Sequence, residues 1–304
     1  MSSLAQYLDP DFIQRVRRLD LRARFIVEGF LAGRHRSPFQ GLSVEFAEHR
    51  KYVHGDDLRT IDWNVFARTD RLYVRKYAAE THLDCTLLVD TSASMGVVGP
   101  LRGASRDRSD KLTYAVHLAA AIGYLVTHQQ DAVGLGVLGE RLDTLLPARS
   151  RRTDLLRMLG VLANVEPAGH TGLAAGVHEA MGRIRHRGLI VVLSDLLVDT
   201  DAALEALHHV RFRGHDLIVM HILAADEVRL PYDGVVRLED PESGAAIEAE
   251  AAAVRERYQA AIGEWRDTLR DRIAAMRGDY LALDTATPFD AALVEFLTQR
   301  SRRR

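Results

Sequence analysis

The sequence predicts an α/β protein: a doubly wound, mostly parallel sheet with helices on both faces, preceded by an N-terminal extension of helix and strand. Three observations predict it. From residue 83 onward, short apolar runs alternate with longer stretches of helical spacing, the rhythm of strands and helices in such sheets. Two of the runs, LDCTLLVD (83–90) and GLIVVLSD (188–195), end in a carboxylate. In an open α/β sheet, ligands bind outside the carboxyl ends of strands, where the strand order reverses.

Residues 11–32 place Ile13, Val16, Leu19, Phe25 and Ile26 near helical spacing, with Gly33 as a cap. Residues 41–80 are dense in charge and aromatics; DLRTIDWNVF has helical spacing and RLYVRKY alternates like a strand. This gives an extension over 1–80 and a main domain over 81–304. In the main domain, residues 83–90 read as a strand, 111–129 as a long apolar helix, and 131–139 and 142–148 as strands. Residues 153–165 read as a helix with Thr153 as N-cap, and 171–187 as a helix opened by Thr171. Then come a strand (188–195), a helix (201–212), a strand (216–224) and a hairpin (234–250) turning at Pro241–Gly244. A long helix (251–277), a strand (279–285) and a helix (288–299) with Pro288 near its start complete the order. No internal repeat is present.

Bulk properties exclude several classes. A formal net charge of −2 on 304 residues offers no basic excess to displace counterions from phosphates, so nucleic acid is not expected. The arginines at 149, 151 and 152 and at 300, 302, 303 and 304 read as solvated loop and tail. One cysteine, Cys85, lies in an apolar run and permits no internal disulfide; it reads as a buried, inert thiol. The first residues, MSSLAQYLDPDF, do not read as a signal peptide. No run approaches ~18 apolar residues, so no membrane span is expected. The expected location is the cytoplasm.

Chemistry concentrates after Asp90, where DTSASM supplies Ser92 and Ser94 in a D-x-S-x-S loop. Thr171 and Asp195 are expected at the same sheet edge. Hard divalent cations want oxygen ligands, and Mg2+ prefers about six at ~2.1 Å. Three hydroxyls and two carboxylates could build most of that shell. On spacing alone the same residues also fit a plainer reading, in which Ser92 and Ser94 cap the next helix and Asp90 merely ends its strand.

VDTSASM, with HTGLAAG and VVLSDLL downstream, resembles the metal-ion-dependent adhesion site of von Willebrand factor A domains. The segment 49–80, HRKYVHGDDLRTIDWNVFARTDRLYVRKYAAE, resembles the hallmark of the domain of unknown function 58 family, which joins that hallmark to such a domain. The resemblance covers about residues 40–300. It implies a Rossmann-type, von Willebrand factor A-like fold with strand order 3-2-1-4-5-6. It also implies Asp90, Ser92, Ser94, Thr171 and Asp195 as metal positions for Mg2+, or Mn2+ or Ca2+. In such sites the hydroxyls touch the metal, the aspartates often act through water, and an open position attracts a partner's carboxylate. Members are often encoded beside MoxR-type AAA+ ATPases, which implies such an ATPase as protein partner. The expected function is therefore a non-enzymatic, metal-dependent interaction module.

Two alternatives remain: a Mg2+-dependent phosphotransferase or phosphatase using Asp90 as nucleophile, and a metal-free scaffold. The enzymatic reading meets a difficulty, since the general acid expected two residues after the nucleophile is here Ser92, a poor acid at neutral pH. Other patterns are decoys. GLGVLG (134–139) matches G-x-G-x-x-G but lies within an apolar strand with no helix after it. The thirteen histidines, His49, His54, His208 and His209 among them, fit no zinc pattern. No G-x-S-x-G elbow exists. In the 49–80 segment, Gly55 is expected to allow a turn, Asp56 or Asp57 to cap a helix, and Trp63 and Phe66 to dock on the main domain.

Overall fold

The computed structural model describes residues 49–52, 63–75, 84–97 and 110–302. The helix expected at 11–32, and the turn and cap expected at Gly55, Asp56 and Asp57, lie outside the described residues. Contacts divide the chain into two compact units: one spans His35–His82, and the other holds everything described from Asp84 onward.

In the smaller unit, β1 (His49–Lys51) pairs antiparallel with β2 (Tyr73–Arg75), and α1 (Trp63–Thr69) lies between them in sequence. The ribbon extends by one bond, from Tyr52 N–H to the Leu72 carbonyl at 3.0 Å. Trp63 meets Phe66 edge-on with centroids 6.0 Å apart, the i,i+3 neighbour relation of a helix.

The larger unit is built on six strands: β3 (Asp84–Asp90), β4 (Ala132–Leu138), β5 (Leu142–Arg149), β6 (Leu189–Ser194), β7 (Asp216–Leu223) and, late in the chain, β10 (Asp279–Asp284). Their spatial order is β10-β7-β6-β3-β4-β5. Counted within the sheet from the other edge, this is the expected 3-2-1-4-5-6. All neighbours are parallel except β5, which runs antiparallel to β4. The reason is covalent: only Gly139–Arg141 separate β4 from β5, and parallel neighbours need a crossover of a dozen residues or more.

Both faces of the sheet are covered, which is why β3, β6 and β7 read as unbroken apolar runs. On one face, Leu88, Ile190, Val192, Leu217 and Val219 pack with α4 (Leu173–Arg183), α5 (Thr200–Phe212) and Leu269 and Ile273 of α7 (Ala251–Ala275). Residues one step along each strand, such as Leu87, Val89, Val191 and Ile218, are equally buried and face the other side. There α2 (Lys111–His128) is apolar nearly all round, as a helix enclosed by protein must be. Asp110 caps it, its Oδ1 accepting from Thr113 N–H. Tyr114 stacks on Phe289 of α8 (Phe289–Arg302), centroids 4.9 Å apart.

Some local expectations shift. The helix expected at 153–165 is α3 (Arg152–Leu162), and its N-cap is Arg151 with no side-chain cap bond; Thr153 sits inside the helix, so it does not cap it. Thr171 does not open α4 either: Gly172 is its N-cap and Leu173 its first residue. A five-residue helix, α6 (Ala225–Arg229), follows β7. Gly134 and Gly136 of GLGVLG lie in β4 for packing, and Gly139 lies in the turn after it. A Cβ on Gly134 would stand 2.8 Å from the Leu146 carbonyl oxygen, and one on Gly136 2.5 Å from a methyl of Leu88. Cys85 is buried and forms no disulfide. Arg149, Arg151 and Arg152 are exposed. His209 lies against His178, ring nitrogens 2.8 Å apart.

The hairpin forms as expected, from β8 (Val235–Glu239) and β9 (Ala246–Glu250). It is a two-stranded sheet of its own and does not join the central one. Among the described residues no helix is long and apolar enough to cross a membrane.

Candidate metal centre

β3 and β6 are the neighbours between which the strand order reverses, and Asp90 and Asp195 stand at their carboxyl ends. Asp90 is 1% exposed and Asp195 fully buried. Both Asp90 oxygens are occupied: Oδ1 accepts from Ser92 N–H at 3.0 Å, and Oδ2 accepts from the Ser194 hydroxyl at 2.6 Å. Burial, and then the charge of Asp195, push the Asp90 carboxyl up to about 6. Two carboxylates enclosed this closely oppose one another, and a cation between the strand ends would relieve both.

Ser92 and Ser94 are also buried. Ser92 precedes a short 3-10 turn, Ala93–Gly96, yet its side chain makes no capping bond. Its hydroxyl meets that of Ser94 instead, Oγ to Oγ 3.0 Å. Adjacent ligands at ~2.1 Å in an octahedron stand about 3.0 Å apart, so this pair has the spacing of one octahedral edge. The capping reading of the two serines does not hold.

The loop bearing Thr171 is laced to the Ser92 loop. Ala168 N–H donates to the Thr91 carbonyl at 3.0 Å, and Ala93 N–H to the Gly169 carbonyl at 3.1 Å. Gly169 sits at φ +70°, and a Cβ on Gly172 would lie 1.8 Å from the Glu140 carbonyl oxygen. Only glycine lets the chain pass that close. Thr171 thus reaches the carboxyl edge of the sheet, where its own partner is Glu242 of the β8–β9 turn. Glu242 Oε2 accepts from Thr171 N–H at 3.0 Å, and Oε1 accepts from the Thr171 hydroxyl.

Asp195 has a partner that the sequence reading missed. The Lys111 ammonium, fully buried, donates to Asp195 Oδ2 at 2.8 Å and to Glu227 Oε1 at 2.7 Å. Burial draws the lysine pKa down, but the charges of Asp195 and Glu227 outweigh it and hold it above its ordinary value. Asp195 Oδ1 accepts from Leu197 N–H at 3.1 Å. Between them, Leu196 adopts φ +53°, a strained conformation for a branched residue, of the kind that collects at functional sites.

Lys111, Ser194, Glu227 and Glu242 were therefore absent from the sequence reading. A signal for Lys111 existed: it is the one charged residue in the apolar run KLTYAVHLAAAIGYL. Ser194, beside Asp195, lay in plain view but read as part of the strand. Glu227 and Glu242 carried no local signal, since each meets the centre through a contact more than seventy residues away in sequence.

The donor set suits a hard cation in part. Among the described residues no three His, Cys, Asp or Glu side chains gather into a metal-ligating group, so an ion here would rely on hydroxyl oxygens. Ser92 and Ser94 present them at a suitable spacing. Around them, Lys111 bridges Asp195 to Glu227, and Glu242 reaches Thr171. Beside them lies a cavity of about 760 Å³ with Ser94, Leu197, Glu227, Tyr232, Glu242 and Tyr258 in its wall.

The model of the family described as protein of unknown function DUF58 matches residues 48–268. The chain belongs to that family. Similar proteins include uncharacterised proteins of Mycobacterium bovis and Mycobacterium tuberculosis, each 32% identical over 298 residues, covering 97% of this chain and 91% of theirs. Among solved structures, BatB of Bacteroides thetaiotaomicron matches with a TM-score of 0.49 at 18% identity, over 72% of this chain and 99% of its own. The VWA domain of SpRpn10 matches with a TM-score of 0.39 at 12% identity, over 70% and 94%.

Proposed function

We propose that this DUF58 protein is a non-enzymatic, cytoplasmic interaction module that grips a protein partner through a divalent ion, Mg2+ or Mn2+, at the carboxyl edge of its sheet. The observation that carries this reading is the pairing of the Ser92 and Ser94 hydroxyls beside Asp90, at the point where strand order reverses. Ser92, Ser94 and Thr171 would hold the ion directly. Asp90 and Asp195, whose oxygens already accept bonds from Ser92, Ser194, Leu197 and Lys111, would act behind them. The ion supplies a positive charge that neutral hydroxyls leave under-compensated, and so attracts a carboxylate. The partner expected from the sequence resemblance is a MoxR-type AAA+ ATPase.

The competing reading is a phosphotransferase with Asp90 as nucleophile. It would need a general acid two residues on, where Ser92, a poor acid at neutral pH, stands. Thermal melts test the ion. At ~100 times its dissociation constant a ligand adds about 2.7 kcal/mol to stability, so Mg2+ or Mn2+ should raise the melting temperature of the wild type and not of Asp90→Ala. Equal rises in both place the ion elsewhere. Titration calorimetry against the candidate ATPase, in Mg2+ and in EDTA, tests the grip; equal affinity in EDTA with both proteins folded leaves only the scaffold reading.

A further inference from the structure

The β8–β9 hairpin is unlike every other strand pair of the larger unit. It stands apart from the central sheet, and Val235 and Ile247 expose 70% and 65% of their surface. A lone two-stranded ribbon is marginal in water. At its base Ala251 N–H donates to the Gly234 carbonyl at 2.9 Å. At its tip Pro241, Ser243 and Gly244 are exposed, whereas the Glu242 side chain is only 15% exposed.

The turn is built to present that side chain. Asp240 organises it: Oδ1 accepts from Glu242 N–H at 3.0 Å, Oδ2 accepts from the Ser243 hydroxyl, and the Asp240 carbonyl accepts from Gly244 N–H at 2.8 Å. Gly244 takes φ +69°, where a side chain is strained. Both Glu242 oxygens then engage Thr171, one on the backbone and one on the hydroxyl. Ser94 and Glu242 line the wall of one cavity, so both residues border the same space. His170, 3.9 Å from Glu242 Oε2, is the nearest basic group on the adjoining loop. A carboxylate at the mouth of an oxygen site is the chemistry that the open position was argued to attract.

We propose that Glu242 is a built-in occupant of that open position, and that the β8–β9 hairpin is a latch which an acidic partner must displace. The inference rests on the metal-dependent reading given above. With the latch closed, the chain supplies its own carboxylate to the ion, and a partner's Asp or Glu competes with it. With the latch open, the cavity lined by Leu197, Tyr232 and Tyr258 is uncovered along with the ion. Because the ribbon shares no strand pairing with the core, it can swing without disturbing the sheet.

The test compares full-length wild type, Glu242→Gln and Asp90→Ala with Mn2+ alone as probe. Glutamine keeps the size and one acceptor oxygen but removes the charge. In Glu242→Gln, Mn2+ affinity should fall about tenfold or more. Water-proton relaxation by the bound ion should rise, because water takes the position the carboxylate leaves. Relaxivity equal to wild type overturns the proposal. Should Asp90→Ala bind Mn2+ as wild type does, the metal reading fails, and hydrogen exchange of the hairpin amides then decides the latch alone. Faster exchange over 235–250 in Glu242→Gln, with the central strands unchanged, sustains it; unchanged exchange overturns it.

Discussion

Lys111 is the buried charge beside Asp195 that no motif advertises. Its ammonium sits in a fully buried position against Asp195 and, on its other side, Glu227. A buried pair gains little over a well-packed apolar one, but removing one partner strands the other charge at a cost of about 3–5 kcal/mol. Lys111→Met keeps the length and the packing and strands Asp195. Its urea midpoint should fall by the equivalent of that range in EDTA. Mn2+ should restore more of the loss than it adds to wild type, since the ion then supplies the missing positive charge. A variant as stable as wild type in EDTA would mean that Asp195 is solvated or protonated instead. The pairing also explains why Asp195 was legible only as a strand-end carboxylate: its partner lies 84 residues earlier in sequence, at the foot of a helix whose apolar character hides it.

At the scale of elements, the site exists because two loops lie closer than side chains allow. Gly172 passes the Glu140 carbonyl, and Gly96 packs on Pro167, where an added Cβ would sit 2.6 Å from the proline ring. Gly172→Ala would push the Thr171 loop away from the sheet edge. The loop is at the surface, so the fold should survive with a loss of about 1–3 kcal/mol, read in a thermal melt, while Mn2+ stabilisation disappears. Retained stabilisation would show that Thr171 is not needed for the ion. The same scale shows what sequence could and could not tell. Strand and helix identity from Asp84 onward was legible because burial on both faces leaves an apolar rhythm, and Asp90 and Asp195 fell at its phase boundaries. Helix starts were less legible. Thr153 has the chemistry of a cap but lies within α3, because the chain leaves β5 already turning at Arg151. The hairpin was visible as a turn at Pro241–Gly244, yet nothing local says that its tip folds back on Thr171.

For the molecule as a whole, the sheet is held to its covering helix at a group that must stay neutral. His221 of β7 is fully buried. Its ring meets Trp265 of α7 at a centroid distance of 4.7 Å, and its Nδ1 lies 2.5 Å from the Tyr280 hydroxyl of β10. Burial, then the charge of Arg266 and more weakly that of Lys111, drives its pKa down to about 3, against a small opposing contribution from the Asp195 backbone. In the unfolded chain the same imidazole titrates near 6.5. Below that value the unfolded state takes up a proton that the folded state refuses, so stability is lost as pH falls. The slope approaches about 1.4 kcal/mol per pH unit between the two pKa values and vanishes above the upper one. His221→Phe removes the titration while keeping a ring against Trp265. The difference in unfolding free energy between wild type and His221→Phe, measured in urea from pH 7.5 to pH 4.5, should therefore move steadily against wild type below pH 6.5 and stay flat above it. The C2 proton resonance of His221 in the folded protein should show no titration over the same range. An imidazole that titrates near 6 in the folded state would mean that water reaches it, and that α7 does not seal this face of the sheet.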